Sequence, residues 1–317
     1  MQNILFRNRS PKTETKKDRR IFKKLLQQRW LIAMILPAFL ILFIFHYIPI
    51  YGIVIAFKNY RAPLGIWGSK WVGFKYFLQF FDNPFHWRIL RNTVLLGVYS
   101  FLWGFPAPII LSLLLNEIKY ARYKKFVQTI SYLPYFISVV IIVGIMKEML
   151  SMDGIINNLI MAMGGERIGF FIDPKYFRSL YIISGIWQGL GWGTIIYLAA
   201  LAGVDVELYE SAIIDGANRW HQMWHITLPA IMPTIVVLMI LNVRGILGSD
   251  TQKILLMYNP STYETADTIQ TYVFREGIEG AQYSYSTAVG LLMSVFSFII
   301  LFITNKIAQK TSDYSLW

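Results

Sequence analysis

Six apolar runs, at about 31–57, 90–116, 127–149, 179–203, 228–247 and 285–306, decide what this 317-residue chain can become. Roughly 20 apolar residues carry a helix across the hydrocarbon layer of a bilayer. Backbone amides in lipid have no water to bond, so a lone apolar run must satisfy them internally as helix. The expectation is an all-α integral membrane protein with six transmembrane helices. At 55% hydrophobic and 15% charged residues, the composition fits that class and not a soluble domain. The chain then divides into a basic N-terminal segment, 1–29, and a transmembrane domain, 30–317. The leader "RNRSPKTETKKDRRIFKKLLQQRW" has no small-residue cleavage site, and the run after it is too long for a signal-peptide core, so a retained anchor is expected. Pro37 and Pro49 suggest a break near His46 in the first run.

The net charge of +12 bears on orientation before it bears on partners. Outside the runs, sixteen lysines and arginines fall on the N-terminal side of the membrane, and Lys306 at the very end of the last run makes seventeen. Nine lie on the other, spread over the longer loops 58–89, 151–177 and 248–283. The positive-inside bias therefore places both termini in the cytoplasm. Because the basic residues crowd the N-terminal tail and do not interleave with a folded aromatic platform, nucleic-acid binding is disfavoured. With no cysteine, disulfides and thiolate metal sites are excluded. Trp67, Trp71, Phe80, Phe81 and Trp87 in the first outer loop suit either an interfacial belt or a face for an external partner.

Within the runs, Gly185, Gly189 and Gly193 recur every four residues, which reads as a helix-packing seam or a kink. Gln188, Asn242 and Arg244 are polar residues in apolar surroundings. Arg244 either snorkels to the interface or faces a solute path. With Trp187 and Trp192 as stacking faces, these five are the candidate substrate-pathway residues, and an arginine there hints at an acidic sugar such as a uronate.

Phosphate-cradling and hydrolase motifs are missing: "GIWGSK" lacks the spacing and hydroxyl of a nucleotide loop, and neither G-x-S-x-G nor H-E-x-x-H occurs. His221 and His225 stand four apart, with Asp215 and Glu210 upstream, so a membrane metalloenzyme stays open as an alternative. Gln222, however, stands where a zinc hydrolase has its glutamate.

The loop 204–227 is the cytoplasmic stretch with more acids than bases. Continued to Pro233 it reads "VDVELYESAIIDGANRWHQMWHITLPAIMP". Asp205 can cap a short helix, Glu207 and Glu210 suit its early turns, and Gly216 follows Asp215 where a left-handed terminator belongs. A second short helix with Trp220, Met223 and Trp224 should lead to Pro229. Helix, glycine turn and helix lying across the membrane face would present an apolar and acidic knob to a soluble partner.

This stretch resembles the EAA loop of the permease subunits of binding-protein-dependent ABC importers, of maltose-type fold. The matching residues are Glu210, Ser211, Ala212, Asp215, Gly216, Ala217, Trp220, Ile226, Leu228, Pro229 and Pro233, with departures at Ser211 and Met223. "YGIVIAFKNY", "NTVLLGVYSFLWGFPAPIILSLLLNE" and "QTISYLPYFIS" are similar to the Gram-positive subgroup that serves oligosaccharides and polysaccharide fragments. The resemblance implies a multi-pass subunit of the bacterial plasma membrane. It implies pairing with a second homologous permease, two copies of a cytoplasmic ATPase that use ATP and magnesium, and an extracellular lipid-anchored solute-binding protein. No cofactor is implied on this chain. Coupling residues implied are Tyr209, Glu210, Ser211, Ala212, Ile213, Asp215, Gly216 and Ala217. Glu210 would meet a basic group of the ATPase, Gly216 would make the turn, and Tyr209, Ala212 and Ile213 would fill the ATPase groove. A secondary transporter is the nearest rival, although Glu117 and Glu148 lie at helix ends and not well inside the spans.

Overall fold

The computed structural model describes residues 28–311, so the basic leader up to position 27 and the last six residues lie outside the described residues. Five helices among these are long and apolar enough to cross a bilayer: Arg29–Phe57, His86–Glu117, Pro174–Leu201, Arg219–Leu247 and Tyr283–Lys310. A sixth crossing is made if the bent pair Ala121–Phe136 and Val139–Met149 counts as one span. We number the spans one to six in chain order, with the bent pair third.

Span one changes pitch along its length, from α-helix over Arg29–Leu42 through a π turn at Phe43–Tyr47 to a 3-10 stretch at Tyr51–Phe57. Phe39, Phe43 and Tyr47, at four-residue steps, stack in sequence at 6.3 and 5.9 Å. A short antiparallel ribbon, Lys58–Asn59 with Lys70–Trp71, leads to the amphipathic helix Lys75–Asp82, which buries Phe80 and exposes Leu78.

Span three differs from the straight helix expected over 127–149. It turns by 97° after a 3-10 segment, Leu133–Phe136, that contains Pro134. Ser138 then starts a new helix, its extended backbone and hydroxyl meeting the Ile141 N–H at 3.4 Å. Proline withholds a helical donor and the serine caps the restart, so the break is local chemistry. Span four begins on Asp173, whose carboxylate accepts the Lys175 N–H, with Pro174 in the first helical position.

The glycines of span four do two things. A Cβ on Gly193 would meet Pro108 of span two at 2.8 Å, and one on Gly191 would run into the Ser131 backbone of span three, so here helices pack at close range. Gly185 and Gly189 do not pack that way, since nothing lies within 4 Å of a Cβ at 189.

The segment 248–283, expected as an outer loop, is folded structure. Helices Thr251–Met257, Tyr263–Ala266 and Ile269–Phe274 turn back into the protein. Ile254 and Met257 enter a core with Leu96, Val143, Phe177 and Tyr181, while Ile269 and Tyr272 enter another with Phe80, Ile89, Tyr285 and Val289. Asp267, fully buried, is held by Arg275 through two bonds of 3.2 and 2.9 Å and accepts the Thr271 hydroxyl at 2.9 Å. Burial acts against the Arg275 charge, yet the Asp267 pair outweighs it and raises the guanidinium pKa. Asn92 of span two donates to the Glu264 and Asp267 carbonyls and accepts from Arg178 of span four. The segment thus clamps two spans by hydrogen bonds that no apolar periodicity announces.

Candidate functional site

Between spans four and five the chain builds a short, strongly specified knob. Asp205 accepts the Glu207 N–H at 3.0 Å and opens the helix Val206–Ile214. The helix ends with the Ala217 N–H on the Ala212 carbonyl at 2.8 Å and the Gly216 N–H on the Ile213 carbonyl at 3.0 Å. That double bond pattern needs a left-handed residue, and Gly216 supplies it at φ +79°. Asn218 then caps the next helix, accepting the His221 N–H at 2.9 Å. The second short helix expected here is not separate. A π turn, Met223–Thr227, carries it into span five, which begins at Arg219.

One side of the knob is tied to span five, which is in turn tied to span two. The Tyr209 hydroxyl pairs with Thr227 at 2.9 Å, Gln222 donates to the Ala217 carbonyl at 3.0 Å, and Arg219 reaches the Glu117 carboxylate at the end of span two at 2.8 Å. Its other side is open. Leu208, Glu210, Ser211, Ile213 and Asp215 are exposed, and Ile214 is 85% exposed, while Ala212 and Ala217 are half-buried. Apolar exposure on this scale beside Glu207, Glu210 and Asp215 suits a protein partner better than water. His221 and His225 stack at 5.8 Å, with each ring turning Nδ1 to an oxygen, of Asn218 at 2.9 Å and of the His221 carbonyl at 3.0 Å. No group of three or more metal-binding side chains gathers among the described residues.

A cavity of about 620 Å³ lies between spans two, three, four and five and the segment after span five. Gln188 and Asn242, from two different spans, share its wall; Trp187 and Trp192 do not belong to the lining. Gln188 donates to the Ile137 carbonyl at the bend of span three. Trp192 stacks flat on Tyr135, itself a lining residue, at 4.5 Å. The backbone of Arg244 opens the 3-10 turn Arg244–Leu247 that ends span five; its side chain lies outside the described residues. The wall also carries Tyr181, Asp250 and Lys253, which periodicity did not select because two of them follow the last apolar residue of span five. The readable signal was "SDTQKILLM", an aspartate cap before a lysine and an apolar run.

Comparisons with known proteins agree on one family. The family model described as "Binding-protein-dependent transport system inner membrane component" matches residues 90–313. Protein LplB of Bacillus subtilis (strain 168) is 48% identical over 294 residues, covering 92% of this chain and 92% of that protein. The polygalacturonan/rhamnogalacturonan transport system permease protein YteP of the same organism is 45% identical over 302 residues, covering 95% and 94%. Among solved structures, a bacterial ABC transporter involved in the import of the acidic polysaccharide alginate has a chain that superposes with TM-score 0.85 at 40% identity, covering 92% of this chain and 99% of that one. For a chain of a bacterial alginate ABC transporter in complex with alginate pentasaccharide-bound periplasmic protein the TM-score is 0.86 at 40% identity, with coverage of 94% and 100%.

Proposed function

We infer the role of this chain from one premise: it belongs to the family of binding-protein-dependent transport system inner membrane components. The chain is a permease subunit of an ABC sugar importer in the bacterial plasma membrane. It forms half of a translocation pathway for oligosaccharides or polysaccharide fragments, the other half coming from a second homologous permease. A separate ATPase, present in two copies, hydrolyses ATP, and a solute-binding protein delivers the sugar from outside. Both termini face the cytoplasm, in keeping with the distribution of basic residues.

The observation that carries this reading is the knob at 206–217, capped at both ends, apolar and acidic on its open side, and bonded on its inner side to span five, whose first residue, Arg219, pairs with Glu117 at the end of span two. A partner that moves such an element moves the spans with it, since the connections are hydrogen bonds and continuous helix instead of flexible linker. Glu210 meets a basic group of the ATPase, Leu208 and Ile213 enter its groove, and Gly216 keeps the turn. Tyr209 contributes from behind, holding the helix to Thr227. Names among the relatives support a polysaccharide-derived substrate: YteP is named for polygalacturonan and rhamnogalacturonan, and the aligned solved transporter for alginate.

The test is co-purification of the permease pair with its ATPase. Glu210→Lys and Gly216→Pro should abolish the association, or the stimulation of hydrolysis by loaded binding protein, while the chain remains in the membrane at wild-type level. Normal association and stimulation in both variants would reject the coupling role. A secondary transporter would accumulate solute without any ATPase subunit.

A further inference from the structure

Lys253 is 3% exposed, sits on the cavity wall and has no carboxylate within ion-pair distance among the described residues. Its ammonium donates to the Tyr181 carbonyl at 3.1 Å and lies 5.0 Å from the centre of the Tyr181 ring. An ammonium carries three donors, so one carbonyl and one ring face leave it under-satisfied. Burying a cation in that state costs several kcal/mol, and methionine would fill the same space without the cost. Structure alone therefore does not account for a lysine here.

The ammonium lies against the cavity wall formed by span four. A Cβ on Gly185 would stand 3.4 Å from Nζ, and one turn further on Gly189 has nothing within 4 Å. Two glycines clear a window toward the charge, and Tyr135 and Tyr181 add aromatic surface on the same wall. The one nearby acid, Asp250, has its carboxylate on the Lys253 backbone N–H at 3.1 Å and its own N–H on the Tyr181 hydroxyl at 2.9 Å. It closes the start of the helix Thr251–Met257. Burial also pulls the Lys253 pKa down to about 8, with Asp250 partly opposing, which marks an ammonium short of counter-charge.

Building on the importer reading above, we propose that Lys253 is a specificity-determining residue of the pathway, binding the carboxylate of an acidic sugar unit as the oligosaccharide passes the Gly185–Gly189 window. One ammonium balances one carboxylate, and the contact is a charge-assisted hydrogen bond.

The experiment uses the complete complex, with its second permease and ATPase, in nanodiscs. Binding of trigalacturonate is compared with that of its methyl ester, a neutral ligand of similar shape. Lys253→Met should weaken trigalacturonate by about tenfold to a hundredfold, the size of a charge-assisted hydrogen bond, and leave the ester within about twofold. Lys253→Arg should restore the acid. Gly185→Val, which covers Nζ but keeps the charge, should reproduce the selective loss and serves if Lys253→Met fails to assemble. Equal losses for acid and ester would overturn the proposal and make Lys253 a packing residue. A wild type that binds the ester but not the acid would also overturn it while leaving the importer reading intact. A complex that binds and transports no oligosaccharide would overturn both.

Discussion

Single residues set the tightest limits on this protein. Gly97 shows it best: a Cβ there would collide with the Ile246 carbonyl, so span two crosses the turn that ends span five backbone to backbone. Gly97→Ala should lower thermal stability in detergent by about 1–3 kcal/mol, the usual cost of overpacking, whereas Gly189→Ala, opening on the cavity, should leave it nearly unchanged. Equal melting of the two variants would refute the close crossing. Lys253 carries a second expectation. With its pKa drawn down to about 8, it is a cation below that pH and loses its charge above it, so affinity for an acidic sugar should fall as pH rises from 7 to 9. A bound carboxylate holds the proton and moves the midpoint upward. Asp250, Tyr135, Tyr181 and Tyr197 are the other ionisable groups on the wall. Lys253→Arg, charged throughout this range, should flatten the profile, and an unchanged profile would assign it to another group.

At the scale of elements, capping decides whether the helix Val206–Ile214 exists as a rigid part. Nine residues make a marginal helix in isolation, and the Asp205 cap is worth about 1 kcal/mol of it. Asp205→Ala should raise amide hydrogen exchange across 206–214 by several-fold without changing exchange in spans four and five; a uniform change would mean that the helix does not open by itself. These caps could be read directly from Asp205 and Gly216, because the bonds they make are local. The six apolar runs were equally legible, their length and hydropathy being one-dimensional properties. Two things were not. The bend of span three rests on Pro134 and Ser138 acting together inside an unbroken apolar run, where hydropathy has no contrast. The folding back of 248–283 rests on Asn92, Asp267 and Arg178 finding partners from 86 to 175 residues away, and such pairings leave no periodic trace. For the same reason Arg244, in a span, drew attention as the pathway cation while Lys253 did not.

The unit from Ile55 onward is held by a polar clamp as much as by apolar packing. Lipid offers little driving force between apolar helices, so the buried bonds of Asn92 and Thr93 in span two and Arg178 in span four to the segment around Asp267 help fix which elements meet, while Arg275 and Thr271 hold Asp267 within that segment. Arg275→Met leaves the Asp267 carboxylate buried with Arg88 at 3.8 Å as its remaining ion partner, and should destabilise the permease by about 3–5 kcal/mol. Stability within about 1 kcal/mol of wild type would show the clamp to be dispensable. From the knob, span five leads as continuous helix to Asn242 on the cavity wall, with Arg219 paired to Glu117 of span two at its start, and the proposed coupling to a separate ATPase would use that path. Because the chain has no cysteine, that path can be addressed by single thiols. The most direct measurement places one cysteine at Glu210 and, in a second variant, one at Trp67, and cross-links each in membranes that contain the full complex. The account predicts that Glu210→Cys joins the ATPase subunit, with a yield that changes when ATP is added, and that Trp67→Cys never does. A cross-link from Trp67→Cys to the ATPase, or none from Glu210→Cys in a complex that still hydrolyses ATP on demand, would contradict it.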